Sequence, residues 1–253
     1  MIFAAGALLA ATPGNWDKWR ADYEASLKAP DGWLSVAGLS WLHDGANTIA
    51  LPNHQTALLE FRNGKVTYEK RVLKSDITEH PDVLKFGTVT LTVIERGGKT
   101  GVRLRDPDAE TRRDFTGCKW FPASAAWRID AKWVAYPKAK TIAITNILGM
   151  TDQEPSPGYA EFSLQGKQVR LEPVVEDGEL FFMFKDATSA KATYGAGRFL
   201  YADMPKGDKV EIDFNKAHNP PCAFTAFATC PLPPRQNILP IAIEAGEKSY
   251  AKH

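Results

Sequence analysis

The chain has 253 residues, 31 basic and 30 acidic side chains, and a formal net charge of +1, with 44% apolar and 24% charged residues. So even a balance supplies no broad field for nucleic acid or an anionic membrane, which argues against both as partners. Seven Trp, thirteen Phe and seven Tyr instead call for a folded, aromatic-rich core rather than disorder.

The one long apolar run, Met1 to Ala11, is too short to cross a bilayer, which takes roughly 20 residues. Ala10 and Ala11 followed by Thr12-Pro13-Gly14 resemble the end of a secretory leader, although no Lys or Arg precedes the run. The expectation is a leader over 1–13 and a periplasmic or secreted protein, or a cytoplasmic one if that segment does not function as a leader. Asn15 to Lys28 then places Trp16, Trp19, Tyr23 and Leu27 at helical spacing behind a suitable N-cap, and Pro30-Asp31-Gly32 ends it. This predicts one amphipathic helix.

Everything downstream predicts strands and turns. Arg62-Asn63-Gly64-Lys65 marks a hairpin within 57–70. Thr88 to Glu95 alternates cleanly, turns through Gly97-Gly98, and returns as Thr100 to Arg105. Further strands fit 127–136, 141–146, 159–164 and 168–172, with Gln165-Gly166-Lys167 as a tight turn between the last two. Leu180 to Phe184 is apolar throughout and predicts burial on both faces, while 210–214 and 241–243 complete the set. The pattern is that of an all-β fold, a mainly antiparallel β-sandwich or barrel-like domain with the N-terminal helix packed on it. No repeat or linker divides the chain, so 14–253 is expected to be a single β-rich domain. One segment, Lys216 to Pro240, is proline-laden and irregular, and a loop so long is uncommon unless it is functional or tied down.

Three passages carry a family resemblance: GWLSVAGLSWL at 32–42, DATSAKATYGAGRFL at 186–200, and DFNKAHNPPCAFTAFATCPLPPRQNILPIAIEAGEK at 213–248. With them the chain resembles the bacterial and archaeal proteins grouped as domain of unknown function 1684. The resemblance implies a shared fold and no catalytic residues, since that family brings no established activity. Where the family often has Tyr ahead of Asn-Pro-Pro-Cys, this chain has His218.

Several clusters are candidates for chemistry. Cys222 and Cys230, separated by seven residues, suit a disulfide in an exported protein. With His218 they offer only three ligands at an unfamiliar spacing, short of a closed metal site, and two buried thiols are the remaining alternative. No metal or other cofactor is expected. Asp186, Thr188, Thr193, Tyr194 and Arg198 crowd a turn in which Gly195 and Gly197 allow positive φ or close approach to a ligand. Arg198 either anchors a carboxylate or phosphate through its planar fork, or pairs internally with Asp186 while the two Thr side chains cap the turn. Arg103 and Arg105 alternate with Val102 and Leu104, and Arg112 and Arg113 follow. These four form either a basic rim for an anion or, with Asp106, Asp108, Glu110 and Asp114, a self-neutralised solvated turn, the reading favoured here. Glu244, beside Asn237, Glu247 and Lys248, is either a base at a sheet edge or a solvated carboxylate.

There is no G-x-S-x-G elbow, H-E-x-x-H pair, Walker loop or strand-borne G-x-G-x-x-G, which disfavours the chemistries those motifs serve. The sequence therefore points to a small-ligand binding module, its pocket between the 186–198 turn and the 219–230 loop, with Asp186, Thr188, Thr193, Tyr194, Arg198 and Asn219 as binding residues. Two alternatives remain: a hydrolase using a carboxylate or His218 in that pocket, and an envelope protein that meets a partner protein through an apolar patch at Phe224 and Phe227. Catalytic residues cannot be named.

Overall fold

The computed structural model describes residues 15–250, so the expected leader over 1–13 lies outside the described residues. Helix α1 (Trp16–Lys28) starts where the Asn15 side chain accepts the Lys18 N–H at 3.1 Å. Its inward stripe buries Trp16 and Leu27, and the Trp16 indole donates to Asp213 Oδ2 at 2.8 Å, tying the helix to a strand end 197 residues away. No helix among the described residues is long and apolar enough to cross a membrane.

The fold is mainly antiparallel β, in four sheets. The first has the order β1 (Val36–Trp41), β8 (Lys99–Arg105), β7 (Val89–Arg96), β6 (Val83–Phe86). The second is a meander of β2 (Gly45–Ala50), β3 (Thr56–Arg62), β4 (Lys65–Tyr68) and β5 (Arg71–Leu73), its β3–β4 turn at the predicted Asn63-Gly64. These two sheets share one core, in which Ile49, Leu59, Val66, Leu91, Val93 and Val102 are buried together.

The third sheet runs β11 (Lys167–Leu171), β10 (Thr151–Leu164), β9 (Arg128–Thr145), β15 (Lys209–Asp213), and the fourth β12 (Val174–Glu176), β13 (Glu179–Phe184), β14 (Arg198–Ala202). Alternation along β13 explains its unbroken apolar run. Leu180, Phe182 and Phe184 enter a core with Phe162, Leu200 and Phe214, whereas Phe181 and Met183 point the other way, toward Ile142, Phe199 and Cys230. Burial on both faces was the sequence expectation, and residues 180–184 are all buried.

Several elements depart from expectation. The segments 127–136 and 141–146 belong to one 18-residue strand, β9, which pairs with a 14-residue β10 longer than the expected 159–164. Pro155 stays in register opposite Thr141, while the register shift between Ser156 and Gly158 takes Pro157 out of the ladder, a bulge that accommodates a residue that cannot donate. Residues 241–243 form no strand; Ile241 and Ile243 instead plug the core as an irregular segment. A short helix, α2 (Glu110–Arg113), forms within the turn after β8. The 216–240 segment is irregular as expected, with single 3-10 turns at Pro221–Ala223 and Arg235–Asn237.

Candidate functional site

The 186–198 turn and the 219–230 loop do meet, since the Tyr194 hydroxyl donates to the Cys222 carbonyl at 3.1 Å. The junction is packed rather than hollow. Arg198 is 1% exposed and its guanidinium is taken up by protein: Nη2 donates to Asp186 Oδ2 at 2.6 Å and to the Ile243 carbonyl at 2.9 Å, and Nη1 donates to the Ala245 carbonyl. The Phe184 ring lies 5.2 Å beneath it. Asp186 Oδ1 accepts from the Thr188 N–H at 2.7 Å and the Thr188 hydroxyl at 2.5 Å, and Thr188 and Thr193 share a 2.9 Å hydrogen bond. This is the internal-pair alternative. Asp186, Thr188, Thr193 and Arg198 hold the turn and the 243–245 segment together, and no group on them is left for a ligand except the buried Arg198 Nε. Gly197 has φ +106° and a Cβ there would stand 2.6 Å from Pro233 and 2.7 Å from the Phe184 carbonyl. Its freedom therefore serves chain packing, not ligand approach.

The expected disulfide is not formed. Cys118, Cys222 and Cys230 are all free, and the Cys222 backbone N–H, at the start of its 3-10 turn, donates to Cys230 Sγ at 3.1 Å. Hydrogen bonding with the neighbouring Cys222 side chain, followed by burial, pushes the Cys230 thiol up. Among the described residues no three His, Cys, Asp or Glu side chains stand together as metal ligands.

A hollow does exist one layer away. A cavity of about 420 Å³ lies between β8 and the outer face of β13–β14, closed by α1 and by the 218–231 segment. Phe181, Phe199 and Tyr201 form one wall, Tyr23 and Trp33 the other, with Arg103, His218 and Asn219 among the polar groups. Of the expected binding residues, only Asn219 reaches it.

Arg103 dominates the electrostatics. Because β8 alternates, Val102 and Leu104 enter the first core and Arg103 is forced to the opposite face. There the 218–231 segment covers it, leaving it 4% exposed. Among the described residues it has no ion pair: its guanidinium lies 4.9 Å over the Trp33 ring, Nη2 reaches Thr229 Oγ1 at 3.5 Å, and Nε has no partner. Burial, followed by repulsion from Arg105 and Arg96, pushes its pKa down to about 10. By contrast Arg96, on the same wall, is neutralised by Asp76 through contacts of 2.7 and 3.0 Å. The solvated-turn reading of this cluster is thus wrong for Arg103, and Arg105 is half-buried beside the same Trp33 ring.

His218 is enclosed by the rings of Trp19, Tyr23, Phe199 and Tyr201. Nδ1 donates to the Lys216 carbonyl at 3.0 Å, leaving Nε2 the bare acceptor in that tautomer, and burial pushes the pKa down to about 4. Behind Tyr23 lies the carboxylate that sequence reasoning named only as a neighbour of Glu244. Glu247 is fully buried, whereas Glu244, the acid singled out, is exposed. Glu247 Oε2 accepts the Asn219 N–H at 2.7 Å and the Tyr23 hydroxyl at 3.4 Å. Burial raises Glu247 to about 7 against these hydrogen bonds, and burial together with that carboxylate pushes up the neighbouring Cys118 thiol. Asn219 Nδ2 donates to the Lys248 carbonyl at 2.8 Å, so the network clamps the end of the chain to the cavity wall. The only sequence signal for Glu247 was its place in the last family motif.

Comparisons with known proteins place these features in a lineage without a described activity. No curated protein matches the chain. A solved structure, the solution NMR structure of an uncharacterised protein from Haloarcula marismortui, is similar at 28% identity and a TM-score of 0.47, over 56% of this chain and 81% of that one. The family model described as protein of unknown function DUF1684 matches residues 113–248, which includes His218, Asn219 and Glu247 but begins after β8 and Arg103. That match spans more than half of the sequence and both of the long later motifs, so the chain belongs to the DUF1684 family.

Proposed function

We propose that this protein binds a small anionic ligand in the cavity between β8 and the β13–β14 face, with Arg103 as its anchor. A single observation carries the reading: a guanidinium that is 4% exposed, has no carboxylate partner among the described residues, keeps Nε unpaired there and lines a cavity. Burying an uncompensated cation costs several kcal/mol unless something pairs with it, and an anion supplied from solution is the missing partner. The cavity falls within the roughly 300–1,000 Å³ usual for small-ligand sites.

The hydrolase alternative draws less support from the same cavity. His218, with its pKa near 4, is a feeble proton acceptor at neutral pH, and Glu247 stands behind the cavity lining, touching it through Tyr23 and Asn219. The partner-surface alternative loses its patch, because Phe224 is buried against Phe115 and Tyr250 and leaves only Phe227 exposed.

Thermal unfolding in acetate, benzoate and phosphate tests the proposal. Wild-type protein should gain stability with at least one of these, by about 2.7 kcal/mol at one hundred times the dissociation constant. Arg103→Met should gain none. A wild type indifferent to all three anions, or a variant that responds equally, overturns the proposal.

A further inference from the structure

We infer that the ligand is a monocarboxylate with a flat apolar body rather than a phosphate or a dicarboxylate; this rests on the anion-binding reading of the Arg103 cavity. The first argument is charge count. Among the described residues Arg103 is the one buried guanidinium facing the cavity without a carboxylate, because Arg96 is held by Asp76 at 2.7 Å. One planar fork matches one carboxylate, whereas a phosphate dianion calls for more donors or a second cation.

The second argument is the charge around the rim. Glu176 lines the cavity as an exposed carboxylate, engaged only by the Tyr201 hydroxyl at 2.6 Å. The hollow that continues beyond it, sharing Arg96, Phe181 and Thr229, adds Glu95, Asp152 and Glu154. Burial and the fields of Asp152 and Glu176 already raise the Glu154 carboxyl. A second negative charge on the ligand would face these groups unscreened by any free cation.

The third argument is the walls. Phe181 and Tyr201 stack at 4.7 Å with an interplanar angle of 13°, Phe199 meets Phe181 edge-on at 4.8 Å, and Trp33 closes the opposite side under Arg103. Such walls reward a planar hydrocarbon body through burial and ring contact, and give a hydrated tetrahedral anion nothing in return. The carboxylate would sit against the Arg103 fork and the Thr229 hydroxyl, with the ring between Tyr201 and Trp33.

Isothermal titration of the full chain with sodium benzoate, acetate, phthalate and inorganic phosphate tests this, with Arg103→Met and Tyr201→Leu alongside. Benzoate should bind wild type on the order of tenfold or more tighter than acetate, from the buried ring alone. Phthalate should bind about tenfold more weakly than benzoate, and phosphate weakest of all. Tyr201→Leu should erode the preference for benzoate over acetate, and Arg103→Met should abolish binding of both. Phosphate or phthalate binding as tightly as benzoate, with loss in Arg103→Met, overturns the ligand class and leaves the anion reading standing. No binding of any probe, or binding that survives Arg103→Met, overturns both.

Discussion

Arg198 and Arg103 are both buried arginines on β strands, and replacing each by Met should move stability in different directions. Arg198→Met removes one side of a pair in which Asp186 is 6% exposed, and strands the Ile243 and Ala245 carbonyls as well. Leaving a buried charge unpaired costs about 3–5 kcal/mol, and each stranded carbonyl adds about 1 kcal/mol or more. Against a total stability of about 5–15 kcal/mol that loss threatens the fold, and at this chain length it corresponds to a Tm lower by roughly 10–28 °C. Arg103→Met deletes a cation that pairs with no carboxylate and whose single side-chain hydrogen bond is 3.5 Å long. Its contact with Trp33 is one that a thioether retains in part. The expected change is within about 1 kcal/mol of zero, or a gain. Urea titrations followed by tryptophan fluorescence and circular dichroism, with slopes compared to confirm a common unfolded reference, separate the two. The double variant Asp186→Leu with Arg198→Met should recover part of the loss, as removing both charges abolishes the unpaired one. Equal destabilisation by the two single Met substitutions would refute the distinction between a structural and a ligand-facing arginine.

The glycines of the same turn differ in kind. Gly197→Ala forces positive φ and contacts of 2.6 and 2.7 Å, and should cost about 1–3 kcal/mol or more in urea, whereas Gly195→Ala, with its nearest neighbour at 3.4 Å, should be near neutral. Two buried groups give opposing pH dependence. His218 falls from 6.5 to about 4 on folding, so the unfolded chain holds the proton more tightly and stability rises as pH climbs from about 4 to 6.5. Glu247 rises from 4.5 to about 7, so the folded state holds the proton and stability falls as pH climbs from about 4.5 to 7. Each shift of about 2.5 units is worth roughly 3 kcal/mol, and the two largely cancel between pH 4.5 and 6.5. Urea midpoints across that range should slope downward in His218→Phe and upward in Glu247→Gln, and parallel profiles would contradict the assignment. Thiol titration of protein denatured without reductant should count three reactive cysteines per chain, since Cys118, Cys222 and Cys230 are all free; a count of one would show Cys222 and Cys230 joined.

Much of the architecture was legible because strands announce themselves locally. The Asn63-Gly64 hairpin, the clean alternation before and after Gly97-Gly98, and the double-sided burial of 180–184 each follow from a few neighbouring residues. The misreadings involved partners distant in sequence. Ile241 and Ile243 alternate like a strand but form no ladder, and fill a core built largely by other segments. The β9–β10 ribbon continues past Pro137 and Pro157 because the register shifts there, and past Pro155 because it is exposed, neither of which composition reveals. Arg198 and Arg103 show the same limit at the site. Alternation correctly put Arg103 opposite Val102 and Leu104, yet nothing in 102–114 says that the far face would be roofed by residues 218–231. Arg198 sat beside glycines in a family motif, and the carbonyls that occupy it arrive from 45 and 47 residues later.

Ion pairing and access to a cavity discriminate between the two arginines better than burial does, since both are buried and Nε is unpaired in each. Around Arg198 every strong donor but Nε has a protein acceptor, so the cluster is complete and its replacement is a question of stability alone. On the cavity side the deficit is spread over separate chain segments: Arg103 Nε from β8 and Asn219 Oδ1 from the loop both lack partners, with Glu247 Oε1 immediately behind. A fold that leaves one donor and one acceptor unsatisfied on residues lining the same hollow pays for them unless solvent or ligand enters. The aromatic walls make that hollow a poor home for water alone, and a molecule that is anionic at one end and flat and apolar elsewhere satisfies both demands at once.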